Sequence, residues 1–171
     1  MELKIYKMNS DVPDINYATK NSACFDIAAY FHYQYSFKSY SKDNKEIVVL
    51  GSQDSDGKHY IDIPSEWRLL VPTGMILDIP HQHCIKIYPR SGLSLKKGLN
   101  LINCVGIIDS DYVEQLYIPM YNNSQERLRI YSGERIAQGE LVYNPQANIS
   151  YIDKRPNRKS DRDGGFGSTG I

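Results

Sequence analysis

Hydrophobic residues fall in short runs along the chain, separated by turn residues, and this pattern predicts strands. The runs are rich in Val, Ile, Phe and Tyr, with 14 Tyr in all, which is typical of β-structure. Turn signals such as Asp56-Gly57 and Ser132-Gly133 separate the runs. The predicted strands are residues 3–8, 25–37, 46–50, 60–63, 67–71, 75–79, 84–88, 116–121, 128–130, 135–143 and 150–152.

Helical periodicity is nearly absent, so many short strands with one short helix predict an all-β sandwich, jelly roll or barrel. The best helical candidate is residues 94–99. With 171 residues the chain is long enough for one domain with a substantial core, expected at residues 1–152. Residues 38–58 are polar at both ends around an apolar IVVL and predict an inserted hairpin or long loop. Residues 153–171 are charged and then glycine-rich, and predict a flexible carboxy-terminal arm.

Charge and cysteine content exclude several function classes. Lys+Arg and Asp+Glu number 20 each, so no net charge draws the chain to nucleic acid or an anionic membrane. Three widely spaced cysteines without a CxxC motif predict neither a disulfide framework nor a zinc site, and we expect Cys84 and Cys104 to be buried in strands. Neither a signal peptide nor a membrane-spanning run is evident. We therefore expect a soluble, intracellular protein.

Two segments carry residues suited to chemistry on a phosphate ester. Pro89-Arg90-Ser91-Gly92-Leu93 combines a guanidinium, a hydroxyl and a glycine, all of which suit phosphate binding. In isolation such a run is most often a plain turn with a surface arginine. Gly106-Ile107-Ile108-Asp109-Ser110-Asp111-Tyr112 places a carboxylate after an apolar strand and before an aromatic ring. This is either a solvated hairpin tip or a general base beside a ring that packs on a sugar.

Three further segments have both ordinary and functional interpretations. Gly133-Glu134-Arg135-Ile136-Ala137-Gln138 is a turn into a strand, or a source of an amide and a guanidinium for phosphates. Gly164-Gly165-Phe166-Gly167-Ser168-Thr169-Gly170 is a flexible tail, or a cover for a nucleoside triphosphate. Ser22-Ala23-Cys24-Phe25-Asp26-Ile27-Ala28-Ala29 places Asp26 inside an apolar strand, where it needs a partner or an indirect contact with a metal ion.

Taken together and in this order, the five segments resemble the five motifs of the trimeric dUTPase family. The match runs from about residue 23 to residue 170 and is interrupted by one insertion after the first motif, which is compatible with a viral source. The resemblance implies a β jelly roll with a short helix, assembled as a three-fold homotrimer with active sites between subunits. It implies hydrolysis of dUTP to dUMP and pyrophosphate, which keeps uracil out of DNA, in the cytoplasm (of the host, if viral).

The resemblance also implies a role for each matching residue. Asp109 would activate the water that attacks the α-phosphorus, and Tyr112 would pack on the deoxyribose and exclude a 2′-hydroxyl. The hairpin from Asn103 to Asp109 would recognise uracil. The remaining implied substrate contacts before the arm are Arg90, Ser91, Gly92, Gly106, Ile107, Ile108, Tyr117 and Gln138.

The arm and a metal ion complete the implied site. Phe166 would cover uracil, and Ser168 and Thr169 would contact the γ-phosphate, with Gly167 between them. The family's arginine before this phenylalanine falls one residue out of register, so Arg162, or Arg158 as a fallback, is expected in its place. Mg²⁺ would bridge the phosphates, and Asp26 would contact it only through water.

Three residues inside the motifs depart from the family pattern. Cys24 and Glu114 stand where glycine is usual, and we expect a packing change at the first and a different hairpin turn at the second. Gly139 replaces an aliphatic residue, and we expect it to weaken its strand.

Alternatives from other function classes remain at this point. A dCTP deaminase shares fold and phosphate site, but its chemistry needs a glutamate where this chain has Pro119, which cannot shuttle a proton. Relaxed hydrolysis of both dCTP and dUTP is a milder alternative. A regulatory role would use residues 38–58 to bind a protein partner, although a surface hairpin without such a role is the simpler interpretation.

Overall fold

A computed structural model describes residues 2–161 of the chain. In this range the chain forms fourteen strands and one short helix. The elements are β1 (Lys4–Lys7), β2 (Phe25–Ala28), β3 (Ser36–Tyr40), β4 (Glu46–Leu50), β5 (Ser52–Gln53), β6 (His59–Ile63), β7 (Arg68–Pro72), β8 (Met75–Asp78), β9 (His83–Pro89), α1 (Ser91–Lys97), β10 (Leu99–Leu101), β11 (Gly106–Asp109), β12 (Tyr117–Asn122), β13 (Leu128–Tyr131) and β14 (Arg135–Tyr143).

Two larger sheets enclose the core, and two small sheets complete it. One larger sheet has the order β11-β9-β14-β2, and the other has the order β10-β12-β7-β3-β4. The small sheets are β13-β6-β5 and β1-β8. The paired strands are antiparallel and mostly non-consecutive in sequence, as in a jelly roll.

Alternating side chains on these strands form the core. In β12, Ile118 and Met120 are fully buried, whereas Tyr117 and Pro119, which alternate with them, are half-buried on the other face. The aromatic residues Phe25, Phe31 and Phe37 are among the largest fully buried side chains.

The predicted insertion, residues 38–58, is more than a surface decoration. It contains β4, β5 and most of β3, which begins at Ser36. Strand β3 pairs with β7 at Ser39 and Leu69, so the β3–β4 hairpin supplies two of the five strands of this sheet. Phe37 is completely buried in the core. The hairpin is therefore anchored in the domain.

Several predicted elements are corrected. The run 25–37 is two strands, because residues 29–35 turn, with Gln34 at φ 61. Residues 150–152 form no strand, and β5, β10 and β11 were not predicted because each is very short. The helix spans Ser91–Lys97 rather than 94–99, because it begins directly after Arg90 and ends at Gly98, whose φ of 68 favours glycine.

The described cysteines are all free, and Cys84 is buried as predicted. Cys104 is exposed and lies between β10 and β11, so its prediction as a buried strand residue was wrong. Among residues 2–161, no helix has the length and apolar character needed to cross a bilayer.

Candidate active site

A cavity of about 570 Å³ opens beside the start of α1 and contains most of the predicted phosphate-binding residues. Arg90, Ser91, Gly92 and Gln138 line it together with Asp26. Strand register explains this convergence, because Asp26 on β2 faces Gln138 on β14, which in turn faces Tyr88 on β9, two residues before Arg90. The structure therefore brings three separate sequence segments to one place.

Asp26 holds two arginines at the mouth of this cavity. Arg90 Nε lies 3.0 Å from Asp26 Oδ1, and Arg135 Nη1 donates to Asp26 Oδ2 at 2.8 Å. Arg90 Nη1 also donates to the backbone carbonyl of Arg135 at 3.1 Å. The Asp26 side chain is only 21% exposed, so the two charge-assisted contacts are partly shielded from water. This cluster fixes Arg90 before any ligand arrives, and the role of Arg135 in it was not predicted.

Hydrogen bonds to backbone carbonyls hold Gln138 and the start of α1 in place. Gln138 Nε2 donates to the carbonyl of Pro89 at 2.9 Å. The N–H groups of Leu93 and Ser94 donate to the carbonyl of Arg90 at 3.0 Å, which starts the helix there. Gly92 is exposed, and a Cβ built on it meets no atom within 4 Å, so the space above it is open to a ligand.

Cys24 also lines the cavity, at the position where we predicted only a packing change. Burial, and then the nearby carboxylate of Glu140, raise the pKa of its thiol. Glu140 in turn accepts a hydrogen bond from Tyr88 Oη at 2.9 Å. The thiol is therefore held in its neutral form beside the phosphate-binding residues.

Gly139, predicted to weaken its strand, makes room for a core aromatic ring. A Cβ at this position would lie 2.6 and 2.7 Å from Cε2 and Cζ of Phe25, and 3.2 Å from Cδ1 of Ile27. Phe25 is 1% exposed. The glycine thus packs closely beneath the residue that precedes Asp26.

Asp109 lies in a different cavity, of about 550 Å³, together with His81, His83 and Asp111. It is the last residue of β11 and faces Cys84 on β9. Its side chain is exposed, and its carboxylate makes no hydrogen bond or ion pair with the described residues. The acid predicted to activate water is thus free to contact solvent.

The predicted uracil hairpin is tightly folded around Gly106. A Cβ there would approach both Asn103 Nδ2 and Ile87 Cβ to 3.3 Å. Ile107 points outwards and is 58% exposed, whereas Ile108 is half-buried against the core. The hairpin is therefore exposed at residues 102–105 and at Ile107, whereas Gly106 between them is buried.

Two tyrosines flank this hairpin. Tyr112 Oη donates to the carbonyl of Gln115 at 2.9 Å, which fixes a ring that is 39% exposed. Burial, and then Glu114 and Tyr117, raise the pKa of Tyr112. Tyr117 starts β12, and a hydrogen bond with it adds to burial in raising the pKa of Tyr35, which lies just before β3. The segment that leads into β3 thus contacts a predicted substrate-binding residue, which the sequence did not reveal.

The two groups of site residues lie near opposite ends of β9. Asp109 faces Cys84 near the start of β9, whereas Arg90 directly follows the end of β9. At about 3.3 Å per residue, the stretch from Cys84 to Arg90 separates them by roughly 20 Å along the strand. Within one copy, Asp109 therefore does not reach the Arg90 cavity.

The predicted arm residues Arg162, Phe166, Gly167, Ser168 and Thr169 lie outside the described residues. Among residues 2–161, no group of three or more His, Cys, Asp or Glu side chains is arranged to hold a metal ion. Both Asp26 oxygens already lie against arginines, since Oδ1 forms an ion pair with Arg90 and Oδ2 accepts a hydrogen bond from Arg135. Any metal ion at this site would therefore take its ligands chiefly from a bound substrate and from water.

An arginine-lined pocket beside a short helix, on an antiparallel β fold, is suited to binding phosphate groups such as those of a nucleotide. Sequence comparison identifies the family, because residues 56–170 match the dUTPase family model. The chain belongs to the dUTPase family.

Individual relatives agree with this assignment. The chain is 42% identical over 127 residues to the deoxyuridine 5′-triphosphate nucleotidohydrolase of Finegoldia magna, covering 71% of this chain and 87% of that protein. It is 31% identical over 171 residues to the enzyme of the same name from Caulobacter vibrioides, covering 100% and 94%.

Solved structures share the fold. A variant of the Staphylococcus bacteriophage 80alpha dUTPase with dUpNHpp superposes with a TM-score of 0.73 at 18% identity, covering 99% of both chains. A variant of the dUTPase from phage phi11 of S. aureus, in which coordination of a structural Mg(II) ion is described, gives 0.69 at 15% identity, covering 92% of this chain and 100% of that one. The predicted family and the all-β jelly-roll fold are confirmed.

Proposed function

We propose that the chain hydrolyses dUTP to dUMP and pyrophosphate, and that its phosphate cavity holds the triphosphate. Family membership supports the reaction, and one observation supports the place: Arg90 is already held by Asp26 at a cavity lined by Ser91, Gly92 and Gln138. Fixed donors of this kind stabilise the charge that develops on phosphate oxygens without reorganising during the reaction.

Asp109 is the proposed general base. Its exposed carboxylate is free to accept a proton from a water molecule and to aim that water at the α-phosphorus. The bond from this phosphorus to the bridging oxygen breaks, and pyrophosphate leaves with its charge held by the phosphate-binding donors. The proton passes from water to the carboxylate and is then released to solvent.

The Asn103–Asp109 hairpin is the proposed uracil-recognition element. Strand β11 is an edge of its sheet, so backbone groups of Gly106, Ile107 and Ile108 that do not pair with β9 are the proposed donors and acceptors, which match the edge of uracil and oppose that of cytosine. The Asn103 amide lies against Gly106 and adds a further polar group. The fixed ring of Tyr112 packs on the deoxyribose, and Tyr117, the first residue of β12, is a further proposed contact.

The complete site requires more than one copy of the chain. Because Asp109 and Arg90 lie near opposite ends of β9, too far apart to meet within one copy, we place the Asp109 hairpin of one copy against the Arg90 cavity of another. A three-fold ring closes such heterologous contacts without leaving an unpaired surface. The protein would thus act as a homotrimer with three shared sites.

Mg²⁺ is the proposed cofactor. The donors present suit an ion held by phosphate oxygens and waters, with Asp26 contacting it only through water, since its carboxylate is occupied by Arg90 and Arg135. When bound, the ion would neutralise charge on the triphosphate. The residues of this chain orient the phosphates and the water.

The remaining assignments follow the sequence-based predictions. We propose a β domain at residues 1–152 and an arm at 153–171, with Arg162, Phe166, Gly167, Ser168 and Thr169 closing over the substrate. We place the reaction in the cytoplasm and in pyrimidine deoxynucleotide metabolism. A protein partner at residues 38–58 stays a prediction, and Pro119 argues against a deaminase.

Mixed assemblies test the shared site. Asp109→Asn and Arg90→Ala chains, each nearly inactive, are co-expressed, and release of pyrophosphate from dUTP is measured. If one copy supplies Arg90 and another Asp109, about a quarter of the sites in a random mixture regain both residues. The control is a double variant, Asp109→Asn with Arg90→Ala, mixed with itself. No recovery in verified mixed assemblies would overturn the shared site, and a wild type inactive on dUTP would overturn the reaction.

A further inference from the structure

The outer face of the five-stranded sheet carries a row of side chains that crosses β4, β3, β7 and β12 and ends at Ile102, the residue after β10. Val48 on β4 faces Lys38 on β3, and Leu70 on β7 faces Pro119 on β12. The pairing of Ser39 with Leu69 sets Lys38 beside Leu70, and the hydrogen bond from Ile102 N to the Pro119 carbonyl extends the row past β10. The members of the row other than Val48 line one cavity of about 370 Å³.

The apolar side chains of this face are not covered by any part of residues 2–161. Val48 is 62% exposed, Ile102 is 48% exposed, and Leu50, on the same side of β4 as Val48, is 54% exposed. The opposite face of the same strands is buried, with Phe37 and Ile118 at 0%. Apolar side chains gathered in one row, rather than scattered singly, mark an interaction surface.

The charged groups on this face are already paired within the chain. Lys38 Nζ lies 3.5 Å from Glu46 Oε2, and Tyr40 Oη donates to the same carboxylate oxygen at 2.8 Å. Arg68 donates to the Asn44 side chain and lies over the Tyr40 ring at 5.5 Å. Lys38 thus has a carboxylate partner and Arg68 has uncharged ones, so covering the face carries a desolvation cost that burial of its apolar side chains has to exceed.

The position of the face indicates what covers it. The row ends at Ile102, which directly precedes Asn103 of the hairpin that, on the proposed function, must face another copy. The face is thus continuous with an element that makes contact between copies. Its β3–β4 portion lies before residue 56, where the match to the dUTPase family model begins.

We propose that a second copy of this chain covers the outer face of the five-stranded sheet, and that the β3–β4 hairpin enlarges the contact between copies. This inference rests on the proposed sharing of sites. Four strand spacings by two pairs of residues give a face of roughly 250 Å². That is about a third of what one partner buries in a standard interface, so the hairpin strengthens an assembly that other surfaces also form.

Cysteine accessibility tests the covering directly. Val48→Cys lies on the face, and Asp43→Cys, in the exposed turn between β3 and β4, is the matched control. Each full-length variant is labelled with a maleimide, and labelling of each cysteine is followed by peptide mass spectrometry, so that the native cysteines are counted separately. In the assembled protein we expect labelling at Val48→Cys to be about tenfold slower than at the control, since buried interface positions exclude reagent. Equal rates in assemblies shown to be intact would overturn the proposal and leave the face to another partner.

Assembly strength gives a second test. Val48→Asp places a carboxylate in the face, whereas Lys45→Asp places one in the turn. We expect Val48→Asp to raise the concentration at half-assembly, measured by analytical ultracentrifugation, by about tenfold or more, because a carboxylate without a partner is costly to bury. The control should shift it by less than about twofold, as for a solvated surface charge. Circular dichroism checks that both variants fold. We expect folding of Val48→Asp because Val48 is exposed within one copy.

The outcomes separate this inference from the proposed function. Recovery of activity in mixed assemblies, combined with rapid labelling at Val48→Cys, removes only the covered face. An unchanged half-assembly concentration in folded Val48→Asp does the same. Failure of the mixed assemblies to recover activity removes the shared site itself.

Discussion

The phosphate cavity and the Asp109 hairpin lie near opposite ends of β9 and differ in how their functional side chains are held. At the cavity, Arg90 is fixed by Asp26 and by the carbonyl of Arg135. At the hairpin, the Asp109 carboxylate is exposed and makes no hydrogen bond or ion pair within residues 2–161. Within residues 2–161, the proposed phosphate-binding Arg90 is thus already held in place, whereas the group proposed to carry the chemistry is not.

This contrast has a physical reason. Arginines near a polyanion repel one another and lose side-chain entropy when they are ordered, so a partly buried carboxylate between them fixes both before binding. A general base must keep a lone pair free for water, and an ion pair would occupy it. Substitutions in the two regions should therefore affect different quantities.

The largest effect is expected at the hairpin. Asp109→Asn should lower kcat for dUTP by roughly 10²–10⁴-fold, because the amide cannot accept the proton. The melting temperature should not move, since the exposed side chain supports no contact. Steady-state kinetics and thermal unfolding measure the two quantities. Near-normal turnover would show that another group activates the water.

The next largest effect is expected at the cavity. Asp26→Asn should lower kcat/KM by roughly 10–10²-fold, because Arg90 and Arg135 lose their shared anchor and misplace the phosphates. Asp62→Asn is the control, since Asp62 is a carboxylate of similar exposure on another sheet, where it accepts two hydrogen bonds from Arg129 at 2.8 and 2.9 Å. If both variants lost the same activity, the role of Asp26 would be stability alone.

The third prediction compares alanine substitutions at two glycines, one expected to affect folding and the other substrate binding. Gly139→Ala should destabilise the fold by about 1–3 kcal/mol, because the added methyl overlaps the Phe25 ring. Gly92→Ala has open space around its Cβ and should leave stability nearly unchanged while weakening substrate binding. Chemical unfolding and KM for dUTP check the pair, and a fully stable Gly139→Ala would mean that Phe25 repacks freely.

The smallest effect is expected from the Cys24 thiol. Its pKa is raised in the folded chain, so the folded state holds this proton more tightly than the unfolded chain does. The resulting stability is complete below the unfolded pKa of 9.0 and is lost as pH rises through the folded value.

Between about pH 7 and about pH 10, wild type should therefore lose slightly more stability than Cys24→Ser, as measured by urea unfolding. Identical pH dependence in the two proteins would contradict the shift. Glu140→Gln, which removes the second cause of the shift, should reduce the difference.

Short-range patterns predicted much of this molecule. Short apolar runs between turn residues predicted both ends of β4 and of β14, and the motif residues Arg90, Ser91, Gly92 and Gln138 do meet in one cavity. Such patterns work because β-branched and aromatic residues favour strands, and because phosphate binding uses few residue types. Very short strands such as β10 and β11 escaped, since three or four residues carry too little periodicity.

By itself, the sequence determined the residue types of the site, the all-β fold and the family, because these depend on local composition and ordered motifs. Only the tertiary structure decided that Arg135 shares the carboxylate of Asp26 and that Gly139 accommodates Phe25. It also decided that Asp109 lies near the opposite end of β9 from Arg90. These relations depend on which distant strands pair and in what register. That choice is made by packing of the whole core, and no short segment contains it.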